Sequence, residues 1–486
     1  MKKLTALLLM VAMLMSCVSF AAAEEEPVQL TWWLFCSSEA PIDWEEVEVL
    51  LNEISAREIG VTCDFRYMTA DQVALAMNSG EYFDISFTCD WYNDFATNVS
   101  AGMFLPLTDE LLETYCSEML ATMPENVWGG SYVNGVRYAI PHMKDYGMEI
   151  FWILDTEYFI NEKGLEMDNY ISFEEIEEYM AMYKEDYPDD YPLKISKSGI
   201  TSWNNCTLDW LSQEYLIGLD WDAQGTDEEL VVKSAFEVDN FIERLRTIHS
   251  WYEKGYINPD AAVTESMGRT VAGVIQSGQG WFGAETVWSN ARQKASYIAR
   301  YDGPYLNTYG LRGSMTAVSS TTEYAEEALK LINLMNTNEE YRTLARYGIE
   351  GKHYEVVEPG IVRKTDLGNN NFSLNAYAQG SYVVGPIEAS AFESVPADPD
   401  MWEKVWAGYS EATLSAAMGF TFDVTPVESQ CLALSAIWQQ YQYELQTGTT
   451  DPDVVIPQII EELESVGLRE VIAEAQRQLD EYMAGQ

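Results

Sequence analysis

The stretch RYGIEGKHY, residues 346–354, holds one of only three histidines in a chain of 486 residues. Glu350 precedes His353 by three positions, a spacing that on a helix places two ligands on one face. Gly348 sits where a helix C-cap belongs and Gly351 follows it, so the pair lies past a helix end and that geometry is lost. The other histidines, His142 and His249, bring no HExxH motif, CxxC pair or calcium loop with them, and no metal and no cofactor is expected. A nucleophile elbow of the GxSxG kind and a phosphate-binding Walker loop are both missing. The 78 acids always offer carboxylate pairs, but nothing singles out one that would stand about 5 Å apart across a sugar. Aromatic density does stand out, with 15 Trp, 30 Tyr and 17 Phe. Flat rings stack on sugar faces, while neighbouring carboxylates and amides bond the hydroxyls. The stretch CDWYND, residues 89–94, offers both functions at one place.

The elements that must position these groups follow from periodicity. VQLTWWLF (28–35), VTCDFRY (61–67) and FDISFT (83–88) read as strands. Between them lie two helices, one opened by Asp43 with Glu46 and one by Thr69 with Gln72, each pair spaced as a capping box. Strand, helix, strand, helix, strand at this spacing means βαβ units and a parallel sheet. In such sheets ligands bind beyond the carboxyl ends of the strands. Those ends are Cys36-Ser37-Ser38 and Cys89-Asp90-Trp91. GVRYAIPHMKDYGMEIFWIL (135–154) reads as a strand, an irregular crossing and another strand, and 271–285 as a segment leading into a Trp-bearing strand. Ser172 with Glu175 and Thr337 with Glu340 have the same capping-box spacing, and the C-terminal part is helical.

The chain is too long for one ordinary core, and two or three units are expected. Its start, MKKLTALLLMVAMLMSCVSFAAAEEE, has a basic n-region, an apolar h-region and a small-residue cleavage site at Ala21–Ala23, which is the pattern of a secretory signal peptide over residues 1–23. Leu14-Met15-Ser16-Cys17 inside it resembles a lipobox, whose Cys17 would be acylated and anchor the chain. Either route exports the protein, to the outer face of the cell membrane or the cell-wall space, or as a secreted chain after cleavage at Ala23. The formal net charge is −50, which excludes nucleic acid as a partner because phosphate neutralisation needs basic patches. The cysteines after the signal segment, Cys36, Cys63, Cys89, Cys116, Cys206 and Cys431, are irregularly spaced, and several fall in apolar strand-like runs, so buried free thiols are favoured over disulfides.

Several stretches carry a family likeness. They are SGEYFDISFTCDW (79–91), GMFLPLTDELLETY (102–115), NGVRYAIP (134–141), GFTFDVTPV (419–427) and above all EEALKLINLMNTNEEYRTLARYGIEGKHYEV (326–356). In these the chain resembles the bacterial extracellular solute-binding proteins of ATP-driven importers, of the maltose-binding-protein kind, and within them the large sugar-binding lipoproteins with an added C-terminal domain. The resemblance spans roughly residues 27–486. It implies an α/β, two-lobe, type II periplasmic-binding-protein-like fold with hinge crossings and a helical C-terminal extension. Lobe I would take 24–141 and 314–350, and lobe II 145–311 and most of 353–486. The crossings would fall near 141–145, 311–315 and 350–356. A monomer that binds and does not catalyse is implied, delivering an oligosaccharide to membrane permease subunits. A peptide or other solute, an exported glycoside-acting enzyme and a surface interaction protein are the alternatives.

On that reading the expected ligand-binding residues are Asp90 and Trp91 at the third strand, Trp33 and Ser37 from the first, and Trp281 and Trp288 from lobe II. His142 and Tyr146 would stand at the first crossing and Arg312 at the second, with Glu350 and His353 as hinge or cleft residues.

Overall fold

The computed structural model describes residues 26–36, 39–268, 270–372 and 379–485. Its first lobe is built on β1 (Val28–Phe35), α1 (Trp44–Ile59), β2 (Val61–Met68), α2 (Ala70–Ser79) and β3 (Ile85–Thr88), with β1 paired parallel to both β2 and β3. Alternation drives this core. Leu30, Trp32 and Leu34 of β1 point to one face and join Val47, Leu51 and Ile54 of α1, while Trp33 points to the other and meets Val73 and Ala76 of α2. Gly60 ends α1 in the left-handed conformation, φ 69°, and its N–H reaches Ala56 O.

The sheet is mixed rather than wholly parallel. β4 (Ala139–Pro141) leaves lobe I, and the chain returns as β8 (Met315–Val318), which lies antiparallel between β3 and β4. Between those two strands the chain builds lobe II around β5 (Met148–Asp155), with β6 (Ile275–Gln279) and β7 (Ser296–Leu306) antiparallel on either side. Every residue of β5 is buried, its even-numbered side chains in the main lobe II core and Phe151 and Ile153 in a smaller one under α5 (Glu285–Arg292). Residues 142–147 and 307–314 therefore link the two sheets, where the sequence reading puts crossings near 141–145 and 311–315.

The third crossing differs from the expectation. The hairpin β9 (Tyr354–Glu358) and β10 (Ile361–Lys364), and α8 (Met401–Gly408), do not join lobe II. Ile361, Ile387, Trp402, Val405 and Tyr409 pack into the lobe I core with α6 (Ala325–Thr337) and α7 (Glu339–Tyr347). The chain reaches lobe II only at β12 (Thr413–Leu414), which pairs with β7. The intervening two-residue strand, β11 (Ile387–Glu388), pairs with β10. The last three helices, α9 (Glu428–Gln446), α10 (Pro452–Ser465) and α11 (Leu468–Ala484), bury Leu434, Ile459, Leu463, Val471 and Leu479 in the lobe II core.

Two expected caps form and two do not. Thr69 with Gln72 and Ser172 with Glu175 each make the reciprocal pair of bonds. Asp43 makes no cap bond to α1, because its carboxylate is turned to His353 and Lys352. Asn338, not Thr337, caps α7 by accepting from the Tyr341 N–H at 2.9 Å. Cys36, Cys63, Cys89, Cys116, Cys206 and Cys431 are buried free thiols. No helix among the described residues is long and apolar enough to cross a membrane.

Candidate functional site

The carboxyl end of β3 forms a pinned turn. Asn93 is buried beneath it, and its amide donates to Ser86 Oγ and Phe87 O, both at 3.1 Å. Thr88 Oγ1 donates to Asn93 O at 2.6 Å, and Asn98 donates to Asn93 Oδ1 at 2.8 Å. With the turn held from below, Asp90 and Trp91 stand at its crest. Trp91 is 45% exposed, an unusual state for the residue with the largest apolar surface. Its indole N–H donates to Gly313 O in the second crossing at 2.9 Å, and its ring meets the Phe35 ring edge-on at 5.0 Å. One carboxylate oxygen of Asp90 is sealed from solvent with no hydrogen-bond partner. Desolvation pushes the Asp90 carboxyl up to about 7, with Asp94 adding to the push and the Arg312 charge opposing it. Tyr309, raised by burial to about 12 with a further push from Asp90, belongs to the same surroundings. A partly exposed aspartate beside an open indole offers a hydroxyl-bearing ring both a polar partner and a stacking face.

At the matching edge of lobe II, Gly280 N–H donates to Glu149 O at 3.2 Å, which places the segment GWF (280–282) level with the start of β5. Phe282 is 40% exposed, with the Arg300 guanidinium 5.2 Å above its ring and Phe151 edge-on at 5.3 Å. Arg300 donates to Glu149 at 2.8 Å; burial raises the Glu149 carboxyl and this partner opposes the rise. Beside the first crossing runs a row of rings: Trp281 on Trp402 at 4.9 Å, Trp402 on Tyr382 at 5.0 Å, and Trp402 on Trp406 at 5.7 Å. Trp406 fastens this row by donating to Lys144 O at 2.8 Å.

The structure thus brings Asp90 and Trp91 together at a strand end and moves other expected residues into supporting roles. Trp33 is 1% exposed and packs against Phe83 at 4.5 Å, on the α2 face of the sheet, so it has no ring face to offer a solute. Ser37 lies outside the described residues. His142 is buried between Ser314 Oγ (2.9 Å) and Thr316 Oγ1 (2.7 Å), bracing the first crossing against the second. Tyr146 is buried on the ring of Tyr409 at 4.7 Å. Trp281 lies past its strand rather than in it, half-buried, with its N–H on Met401 Sδ at 3.2 Å. Trp288 packs in the small core under α5, where Gly278 leaves the room that a Cβ would fill. Gly278–Gly283 (GQGWFG) has the GxGxxG spacing of a dinucleotide turn, but it leaves a strand paired antiparallel to its neighbour, which is not the parallel βαβ setting such a turn needs. Arg312 does not present a fork to the cleft. It is 3% exposed and donates to Gly130 O, Tyr132 O and Thr421 Oγ1 at 2.9, 3.0 and 2.6 Å.

RYGIEGKHY is a staple. His353 is fully buried; its Nδ1 accepts the Ile349 N–H at 2.9 Å, so Nε2 carries the proton it shares with Asp43 Oδ2 at 3.0 Å. Lys352 adds a bond to Glu46 at 2.5 Å, and the loop after α7 is thereby tied to the start of α1. Glu350 is exposed on the rim of a groove of about 720 Å³ between α1 and α7, on the helical face of lobe I. No group of three or more His, Cys, Asp or Glu that could hold a metal occurs among the described residues. Phe282, Tyr309, Trp402 and Trp406 escaped the sequence reading; for Phe282 the signal was present, an aromatic pair between two glycines just after a strand.

This is the two-lobe fold of the extracellular solute-binding proteins. A carbohydrate ABC transporter substrate-binding protein of Streptococcus pneumoniae serotype 4 is 26% identical over 462 residues, 91% of this chain and 89% of that one. Among solved structures, the N-glycan transport solute binding protein NgtS of Streptococcus pneumoniae superposes with a TM-score of 0.82 at 24% identity, covering 94% of this chain and 99% of that one. Its complex with Man5GlcNAc gives 0.74, with the same identity and coverage. An extracellular solute-binding protein of Bifidobacterium longum subsp. infantis gives 0.58 at 15% identity, over 94% and 98% of the two chains. Residues 416–484 match the model of a domain of unknown function, DUF3502.

Proposed function

We propose that this protein is an extracellular solute-binding receptor that captures an oligosaccharide between its lobes and hands it to the permease of an ATP-driven importer. The observation that carries the reading is the Asp90–Trp91 crest: a partly exposed aspartate next to a 45% exposed indole, at the carboxyl end of a lobe I strand. Asp90 bonds a sugar hydroxyl, Trp91 stacks on a sugar face, and Phe282 with Arg300 and Glu149 receives the solute from lobe II. The likeness to proteins whose names specify carbohydrate, and to a complex with Man5GlcNAc, supports a neutral glycan over a peptide. The protein binds without turnover and works as a monomer at the outer face of the membrane, which the signal-like N-terminus supports.

The test is a titration followed by intrinsic tryptophan fluorescence, using mannose-containing N-glycan fragments, other oligosaccharides, peptides and polyamines, with each mixture analysed for breakdown. A saturable change with an oligosaccharide and no product supports the reading. Saturation by a peptide or polyamine alone, or steady release of product, overturns it.

A further inference from the structure

Residues 415–421 lead into the C-terminal helical unit, and they pack in two lobes at once. Ala417 and Phe420 are buried in the lobe II core, while Met418 between them packs against the lobe I core. The contact is close: a Cβ on Gly129 of lobe I would come within 2.9 Å of Met418 Sδ. The segment is fastened to its own unit by Tyr482 of α11, whose hydroxyl donates to Met418 O at 2.7 Å. It is fastened to the second crossing by Gly419 N–H, which donates to Thr308 Oγ1 at 2.8 Å. Arg312, on that crossing, completes the joint. One guanidinium holds Gly130 O and Tyr132 O of lobe I and Thr421 Oγ1 of the C-terminal unit. The same charge acts on the Asp90 carboxylate at the crest of the site. Because the Arg312 side chain is buried, leaving its guanidinium N–H groups without acceptors is costly.

We propose that the C-terminal unit is a latch on lobe closure, in which Met418 and Thr421 hold Arg312 and the Gly129–Tyr132 turn of lobe I against lobe II and so set how far the lobes open. The effect on solute affinity rests on the receptor reading above; the effect on lobe geometry does not. A latch that keeps the solute-free protein near its closed arrangement raises the fraction competent to bind, and loosening it lowers apparent affinity by the loss of that fraction. The lobes also meet where Trp281 packs on Trp402 and Asn290 bonds Glu388, and the Met418–Thr421 joint adds a contact at the second crossing, so the contacts that bridge the lobes near the hinge decide the balance.

Spin labels at Leu75→Cys in lobe I and Val263→Cys in lobe II, both highly exposed in the parent while the native thiols are buried, report the interlobe distance. Thr421→Val keeps the side-chain shape and removes the acceptor for Arg312; Met418→Ala removes the packing on Gly129. In either variant the solute-free distance distribution widens, and affinity for the oligosaccharide identified in the titration falls on the order of tenfold. Thr421→Ser, which keeps the hydroxyl, restores the parent distribution. Phe282→Ala, whose ring meets Phe151 and Arg300 within lobe II, weakens affinity and leaves the solute-free distribution unchanged, which separates the latch from the solute contacts. A distribution identical to the parent in both folded variants overturns the latch, whatever happens to affinity. Should no oligosaccharide bind the parent while the distances still respond, the receptor reading for oligosaccharide fails and the latch stands.

Discussion

Replacing Trp91 by alanine tests the site at its most exposed aromatic. A tryptophan side chain offers roughly 200 Å² of surface, and at 45% exposure this leaves about 90 Å² for a solute. A sugar covering one face takes about half of that and hides a similar area of its own C–H surface, so about 90 Å² leaves water in total. At about 25 cal/mol per Å² this is worth about 2 kcal/mol, or about thirtyfold in Kd. The indole bond to Gly313 O is lost as well, but it ties the residue to the second crossing rather than to a solute. Trp91→Phe separates the two effects: a flat ring remains while the N–H is gone, and affinity falls far less than in Trp91→Ala. Isothermal titration with the oligosaccharide identified by fluorescence gives Kd, and urea unfolding of the same samples reports stability. Trp91→Ala with an unchanged Kd refutes the reasoning, because a ring stacked on the solute cannot be removed without cost.

His353→Ala removes a buried ring that joins the Ile349 N–H to Asp43, leaving one N–H unsatisfied and a cavity behind; stability falls by about 2–4 kcal/mol in urea unfolding, while the variant that remains folded binds the oligosaccharide with unchanged affinity. Asp90 is raised by desolvation from its usual 3.8 to about 7, so between those values the folded protein holds a proton that the unfolded chain has lost. Its share of stability is complete below pH 3.8 and is lost as pH rises through 7, with Asp209, raised by burial to about 6, adding a parallel slope. Asp90→Asn removes the first share, so the gap in unfolding free energy between pH 5 and pH 8 is smaller in the variant than in the parent, and an equal gap counts against the buried-carboxylate assignment. The cysteines at 36, 63, 89, 116, 206 and 431 are buried, and desolvation raises their thiols, so a thiol reagent labels all six in denaturant and reacts slowly with the native protein; a native disulfide would lower the count in denaturant by two.

The sequence by itself determined the local elements and the strand end at which the site is proposed. Alternating apolar residues in VQLTWWLF, the helical stripe Val47–Leu51–Ile54 and the run FDISFT are short-range patterns, and they placed β1, α1 and β3, with Asp90 and Trp91 just past the end of β3. The crossings at 142–147 and 307–314 were legible because an irregular stretch between two buried runs leaves few alternatives. Burial against distant partners decided the rest. Trp33 and Trp91 are the same residue type beside neighbouring strand ends, but the pleat sends Trp33 under α2 and the pinned turn lifts Trp91 into the open. Arg312 was a plausible solute ligand until Gly130, Tyr132 and Thr421 were brought around it from positions more than a hundred residues away. His353 found Asp43 across 310 positions, and β9, β10 and α8 folded back on lobe I because the surface that buries Ile361, Trp402 and Val405 belongs to α6 and α7 and their neighbours there. Periodicity records which face of an element is apolar; which distant element covers that face is a property of the folded chain alone.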